Sequence, residues 1–321
     1  MLNLLSALEK AKAVIISGHT RPDGDCVGSC MALWHYIRDN YPDVHAQVRL
    51  ESVPASYRLI PGTENIITNF DDDQACDLFI ALDASDKARL VGAARYFDAA
   101  DHTICIDHHI SNQGYADENL VCPQASSACE VLAGLLDMDR VSLNCAIALY
   151  TGIICDSGVF KYSSTSRRTM EIAGQLLEKG VPGQQLIDGV FYQKTYMQRK
   201  LLGRCLQDSF LSLDGRMFSC IVRWETMRLF GASHEDLEGV IDQLRMTEGV
   251  ETAVLISEDE TGTFKFSMRS NRQVDVSRIC EVFGGGGHIR AAGFSVKADM
   301  PEVFGRVEAM VKEQLDACTT D

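Results

Sequence analysis

Three short apolar runs, AVIIS at 13–17, LFIAL at 78–82 and TICI at 103–106, each stop at an acidic or imidazole side chain or a cluster of them. The runs are apolar throughout instead of alternating, and they are rich in residues suited to strands buried on both faces. Helix-length segments separate them, for example CVGSCMALWHYIRDN after the first. Strand–helix repetition of this kind predicts an α/β fold on a parallel sheet. Ligands of such sheets bind beyond the carboxyl ends of the strands, so His19, Asp83 and Asp107 to His109 are expected to meet there.

The polar clusters carry the chemistry. They are His19, Asp23 and Asp25 in GHTRPDGD, Asp83 in FIALDAS, Asp107, His108 and His109 in IDHHIS, and Asp156 in IICDSG. A helix starting near Gly24 turns its positive end toward Asp23 and Asp25 and favours their ionised forms. Asp23 alone is an ordinary N-cap; with His19 and Asp25 close by in sequence it belongs to a site. Asp156 follows the apolar run LYTGIIC, which predicts a buried carboxylate in need of a partner or a metal. Oxygen and imidazole donors without thiolate suit Mn2+ or Mg2+ better than structural zinc or an iron–sulfur cluster. Their number fits two ions, which at about 3.5–4 Å apart share a carboxylate, activate a water and stabilise charge at phosphorus. The expected reaction is phosphoester hydrolysis.

With 321 residues and 46% hydrophobic content the chain can bury ample core and suggests two domains. The start, MLNLLSALEKAKAV, suits an amphipathic helix and not a secretory leader, and no membrane-length apolar stretch follows, so a cytoplasmic location is expected. A net charge of -15 lacks the basic footprint of a protein that binds long or duplex DNA. Exposed acids are screened over about 8–10 Å, so a metal pair can still attract a short anionic substrate. The twelve cysteines sit within apolar stretches with no CxxC pair, and are expected to be buried free thiols. Cys26 and Cys30 share a helix face with ligand spacing, but packing is the favoured role for both.

Strand and helix alternation is expected to continue to about residue 180, where EKGVPGQQ breaks it. Three parts are expected: a catalytic domain at 1–185, a solvated linker helix at 186–207, and a smaller α/β domain with a mixed sheet at 208–321, the active site lying in a cleft between domains. In the last part, FLSLDGRMFSCIVRW predicts a hairpin around Asp214-Gly215, followed by a helix, the strands TAVLISE and TFKFSMR, a short helix and a Gly-rich turn. Arg269 and Ser270, with Gly285, Gly286, Gly287, His288 and Arg290, form a candidate anion-binding surface. Glycines admit close backbone approach to phosphate, Arg grips it bidentately and His stacks on a base. Gly293 is assigned to close packing. Ser126, Ser127 and the stretch 162–165 are assigned to helix capping.

The segments GHTRPDGDCVGS, ALDASD, IDHH and GIICDSGVFKYSST resemble, in order and spacing, the four N-terminal motifs of the DHH phosphoesterase superfamily. FSMRS and GGGGHIRAAG resemble its associated C-terminal domain, so the resemblance spans nearly the whole chain. Within the superfamily the short two-domain form is most similar to bacterial nanoRNases that also dephosphorylate 3'-phosphoadenosine 5'-phosphate (pAp). The resemblance implies a first ion on His19, Asp23 and Asp83, and a second on Asp25, Asp83, His108 and Asp156. It makes Asp83 the bridge, Asp107 an orienting acid, and His109 a phosphate contact or proton donor. It further implies short RNA oligonucleotides and pAp as substrates, Mn2+ as cofactor, and a possible homodimer. A cyclic-di-AMP or linear dinucleotide (pApA) phosphodiesterase remains open as an alternative. A RecJ-like exonuclease ranks lower for want of a basic track, and a family II pyrophosphatase for want of its second-domain signature. A non-catalytic nucleotide-binding regulator ranks lower because the ligand set is intact.

Overall fold

All three apolar runs become buried parallel strands. The computed structural model describes residues 3–318, and the chain divides after Gln193 into two compact units. In the first, β1 (Ala13–Ser17), β2 (His45–Val48), β3 (Leu78–Leu82), β4 (His102–Asp107) and β5 (Glu118–Val121) form a parallel sheet in the order β2-β1-β3-β4-β5. The chain leaves β1 in one direction to make β2 and returns on the other side to make β3. The order therefore reverses between β1 and β3, where a crevice opens at the carboxyl ends of the strands.

Both faces of the sheet are covered, which explains runs without alternation. Val14, Ile16, Ile80 and Ile104 pack against α1 (Leu4–Lys10), α2 (Gly24–Asn40), α4 (Ala128–Ala133), α5 (Leu143–Asp156) and α6 (Arg167–Glu178). Ile15, Phe79 and Cys105 face the other way, onto Leu90 and onto Tyr96 and Phe97 of α3 (Ala94–Ala99). Each fully buried aliphatic or aromatic side chain here is worth about 1.5–3 kcal/mol.

The backbones of α2 and α5 touch. A Cβ on Gly28 would lie 2.7 Å from the Ala148 carbonyl oxygen, and one on Gly152 would lie 2.2 Å from Cys129 Sγ and 2.8 Å from Asp25 Oδ1. Glycine is required at both positions by lack of space, and the contact brings Asp25 on α2 toward Asp156 on α5.

Alternation ends earlier than expected. After β5 the first unit is helical, through α6 and the short α7 (Gly183–Ile187). Helix α5 is apolar on nearly every side because it is buried on nearly every side, so it shows no amphipathic period. The expected solvated linker helix at 186–207 is also corrected. A turn of π-helix at Asp188–Tyr192 is followed by a break, and Thr195 caps a new helix, α8 (Tyr196–Gln207). That helix belongs to the second unit, where Leu201 and Cys205 are buried.

The second unit holds a mixed sheet of β6 (Phe210–Ser212), β7 (Met217–Val222), β8 (Thr252–Glu258), β9 (Phe264–Ser270), β10 (Gly286–His288) and β11 (Ala291–Val296), in the order β10-β11-β9-β8-β7-β6. Only β7 and β8 pair in parallel. One face packs on α11 (Val276–Val282) and α12 (Met300–Ala317), the other on α8, α9 (Trp224–Phe230) and α10 (Val240–Arg245). The β6–β7 hairpin turns at Asp214-Gly215, where Leu213, Asp214 and Gly215 all take positive φ. The expected Gly-rich turn is instead an edge strand, because Gly286 to His288 pair with Gly293 to Ala291. Among the described residues no helix is long and apolar enough to cross a membrane.

Candidate active site

Every predicted ligand of the first unit arrives at the crevice between β1 and β3. His19 follows β1. Its Nδ1 lies 2.8 Å from the Thr20 carbonyl oxygen, so with the proton on Nδ1 the Nε2 atom faces Asp83 Oδ2 at 3.4 Å and Asp23 Oδ2 at 3.5 Å. The loop carrying it is tied down twice: Thr20 N–H donates to the Arg89 carbonyl, and Glu51 accepts from Thr20 Oγ1 and Arg21 N–H at 2.8 and 2.7 Å. Asp23 also caps α2, with Oδ1 accepting from the Asp25 and Cys26 amides, so its two oxygens serve two purposes.

Asp83 stands where two groups of donors meet. Its backbone is left-handed, with φ 54°, a conformation Asp tolerates better than most residues. One oxygen faces His19, and the other lies 3.5 Å from His108 Nε2 and 3.6 Å from His109 Nδ1. His108 Nε2 in turn lies 3.2 Å from Asp156 Oδ2 and 3.9 Å from Asp25 Oδ2. Asp25 is fully buried and accepts the Ala128 and Cys129 amides, at 2.6 and 2.9 Å, from the start of α4.

The prediction of a buried carboxylate at Asp156 fits Asp25 better. Asp156 ends α5 with its side chain 27% exposed, because the apolar run before it is a helix whose last turn reaches the crevice. The expected donor set holds no sulfur, and one thiol lies beside it. Cys26 Sγ lies within 4.8 Å of donor atoms of His19 and Asp83.

Asp107 is completely buried and held from several sides. One oxygen accepts from the His108 amide at 2.8 Å and from His109 Nδ1 at 2.7 Å, and the other accepts from Asn112 Nδ2 at 2.7 Å. Burial opposes ionisation here, but the bonds from His109 and Asn112 outweigh it and keep the carboxyl below its usual range. The same bond to Asp107 raises the His109 imidazole above its ordinary value. Asn112 has no counterpart in the sequence reading. Its only signal was a buried-compatible amide five residues beyond Asp107.

The electrostatics of the crevice describe a site made for cations. Burial opposes the charged form of His19, yet hydrogen bonds to Asp23 and Asp83 raise it to about 12. His108 is raised to about 11 against the same opposition, by Asp156 and Asp83. Asp25 is pushed well above the carboxylate range, by burial first and then by Asp83 and Asp156. Asp83 Oδ1 and His108 Nε2 are buried without a hydrogen-bond partner. Each such orphan costs about 1–3 kcal/mol, and both are metal-donor atoms pointing at the same space. The residues present therefore fit metal ions.

In the second unit the two predicted recognition motifs lie side by side. Arg269 pairs with Ala291 across β9 and β11, and the Ser270 amide donates to the Arg290 carbonyl. Arg290, expected to grip phosphate, directs its guanidinium to the carbonyls of Val274 and Arg272 and to Ser270 Oγ. Ser270 Oγ itself donates to Val274 O at 2.6 Å. Arg269 spends one nitrogen on the Met268 carbonyl, and His288 is exposed. Gly285 and Gly287 are crowded by β11, where a Cβ would lie 2.3 Å from Gly293 O and 2.5 Å from Ala291 O, and Gly286 has open space around it. Of the residues assigned to capping, Ser127 caps α4 and Ser126 donates to the buried Glu130. In the stretch 162–165 none caps: the cap of α6 is Ser166, with Thr169 completing the box.

Comparison with known proteins agrees with this geometry. Residues 13–153 match the DHH family N-terminal domain and residues 222–317 match the DHHA1 domain. The chain is 26% identical over 306 residues to the bifunctional oligoribonuclease and PAP phosphatase NrnA of Thermus thermophilus, covering 94% of this chain and 90% of that one. It is 25% identical over 317 residues to the Bacillus subtilis protein of the same name, covering 97% and 98%. A solved exopolyphosphatase-related protein from Bacteroides fragilis shares the fold, with a TM-score of 0.85 at 24% identity over 96% of this chain and 94% of that one. The chain belongs to the DHH family of metal-dependent phosphoesterases.

Proposed function

We propose that the chain is a manganese-dependent hydrolase that cleaves RNA oligonucleotides a few residues long to mononucleotides and converts pAp to AMP. The observation that carries this reading is the pair of donor groups sharing Asp83, with Asp83 Oδ1 and His108 Nε2 buried and unpartnered between them. His19, Asp23 and Asp83 would hold one ion, and Asp25, Asp83, His108 and Asp156 a second. Bound there, the ions supply Lewis acidity and a water acidic enough to attack phosphorus near neutral pH.

The chain's own residues do the rest. Asp107 fixes the tautomer and orientation of His109, leaving Nε2 of a ring that is 40% exposed free to give a proton to the leaving oxygen. Amides at the start of α4 hold Asp25 in place, and the cap made by Asp23 fixes the entry of α2. Arg269 and His288 are assigned to the substrate's phosphate and base. Arg290 and Ser270 are assigned to support them, since their polar atoms are engaged with backbone carbonyls. A net charge of -15 agrees with a preference for short over long polyanions. The names of the Thermus and Bacillus relatives support the two substrate classes.

The test is a substrate panel with Mn2+: 5'-phosphorylated RNA of graded length, pAp, pApA, cyclic di-AMP, pyrophosphate and long single-stranded DNA. Rapid release of mononucleotides from short RNA and AMP from pAp is expected. A preference for cyclic di-AMP would reassign the chain to the cyclic dinucleotide phosphodiesterases, and a preference for pyrophosphate or long DNA would overturn the proposal.

A further inference from the structure

Four sulfurs wall the acidic crevice. Cys129 donates to the Asp25 carbonyl, Cys155 packs on Gly24, and Cys26 and Cys30 lie along one face of α2 beside Gly18. Packing accounts for three of them. Among the described residues only Cys26 joins a group of potential metal donors, with Sγ, an imidazole nitrogen of His19 and a carboxylate oxygen of Asp83 all within 4.8 Å of one another. All three residues are buried. Residue 18, beside the sulfur, is a glycine whose Cβ would lie 2.3 Å from Sγ, and the thiol donates to the His19 carbonyl at 3.9 Å.

We propose that Cys26 is a sulfur donor that lets a thiophilic divalent ion such as Zn2+ close the His19–Asp23–Asp83 position. Tetrahedral sites with bonds of about 2.0–2.3 Å hold their donors about 3.3–3.8 Å apart. His19 Nε2 to Asp83 Oδ2 and to Asp23 Oδ2, at 3.4 and 3.5 Å, have that spacing, and Cys26 Sγ, within 4.8 Å of donors of His19 and Asp83, would have to draw in toward them and toward Asp23. Three oxygen and nitrogen donors leave a position for water, as a catalytic site requires, whereas a fourth donor from the protein makes the closed shell of a structural site. A hard ion such as Mn2+ gains little from sulfur and leaves Cys26 as packing; a soft one recruits it. The thiol loses its proton to solvent as the sulfur–metal bond forms, and no oxidant or reductant takes part. Cys26 thus separates ions that bind and work from ions that bind and block.

The inference rests on His19, Asp23 and Asp83 holding an ion, as proposed above, but its readout is independent of turnover. The 321-residue chain is stripped with chelator and titrated with Co2+, a coloured stand-in for Zn2+. Wild type is expected to show intense tetrahedral ligand-field bands and a thiolate-to-cobalt charge-transfer band. Cys26→Ala removes the charge-transfer band and lowers the ratio of Zn2+ to Mn2+ affinity by about tenfold or more, whereas Cys30→Ala keeps both. Cys26→Ser, nearly isosteric, gives the same losses where the alanine variant folds poorly. A charge-transfer band that survives in Cys26→Ser, or an unchanged affinity ratio, overturns the inference. Ligand-field bands without any charge transfer in wild type overturn it while leaving the two-ion reading standing. Absence of Co2+ binding overturns both.

Discussion

Asn112 Nδ2 donates to Asp107 Oδ2 at 2.7 Å, and through it a residue with no metal-binding chemistry fixes the acid that orients His109. The same amide reaches the Ala84 carbonyl, one residue past Asp83, so Asn112 fastens the ends of β3 and β4 together. Asn112→Ala is expected to lower turnover about tenfold or more, because it loosens the acid that positions His109, and a positioned proton donor contributes about 100–10,000-fold. The lost bonds are expected to cost about 1–3 kcal/mol of stability. Steady-state kinetics and denaturant unfolding check both, and wild-type turnover in a correctly folded variant would remove Asn112 from the mechanism.

In the proposed two-ion reading Asp83 is the shared carboxylate, so its loss should exceed that of any outer partner. Asp83→Ala is expected to lower both metal content and turnover by more than about a hundredfold, with the circular dichroism spectrum unchanged. Elemental analysis after reconstitution with Mn2+ reads the first. Retention of two ions per chain would show that Asp83 bridges nothing.

Arg269 and Arg290 lie near each other in the second unit and should behave differently. Arg290 bonds backbone carbonyls on the 272–274 turn, so Arg290→Ala should destabilise the fold by about 1–3 kcal/mol. Arg269, with only a neighbouring carbonyl to hold it, should cost little stability. Losing a charge-assisted bond to phosphate, worth about 1.5–3 kcal/mol, raises KM for short RNA about ten- to hundredfold. Equal thermal shifts in the two variants, with KM unmoved in Arg269→Ala, would refute the division.

Metal loading should remove the pH dependence of stability that the site's imidazoles impose. Without metal, His19 and His108 are raised from 6.5 to about 12 and about 11. Their stabilising charge is fully present below pH 6.5 and is lost as pH rises toward those values. Metal-free chain should therefore become less stable from pH 6.5 to 9. The loaded chain should be nearly flat over the same range, because the ions displace the protons from His19 and His108 and the unfolded imidazoles are already neutral above pH 6.5. Thermal unfolding of chelator-stripped and Mn2+-loaded protein tests this; parallel slopes would contradict it.

The sequence made one half of this site legible and hid the other. Ligands at strand ends were visible because an apolar run followed by Asp or His has few other meanings, and the runs at 13–17, 78–82 and 103–106 all became strands. Asp156 was visible as a residue, but its helix was not, since burial on all sides erases the period by which helices are recognised. Asn112, Glu51 and the amides of Ala128 and Cys129 act through contacts across a turn, across 30 residues and across more than a hundred, and no local pattern encodes those. Cys26 packs in the core, as its place on a buried helix face predicts, and no spacing in the sequence reports the His19 imidazole near its sulfur. The Gly-rich tract reads as a turn in sequence because glycine marks turns and crowded strands alike, and only the neighbouring β11 shows which demand applies.

The contact of α2 with α5 at Gly28 and Gly152 has a mechanical meaning. Side chains adjust by changing rotamer, but two backbones in contact have nothing left to yield. The helix segments that carry Asp25 and Asp156 are thus spaced by main-chain atoms, like the jaws of a locked caliper, and an ion held as proposed would be measured against a part of the molecule that core substitutions elsewhere cannot reset.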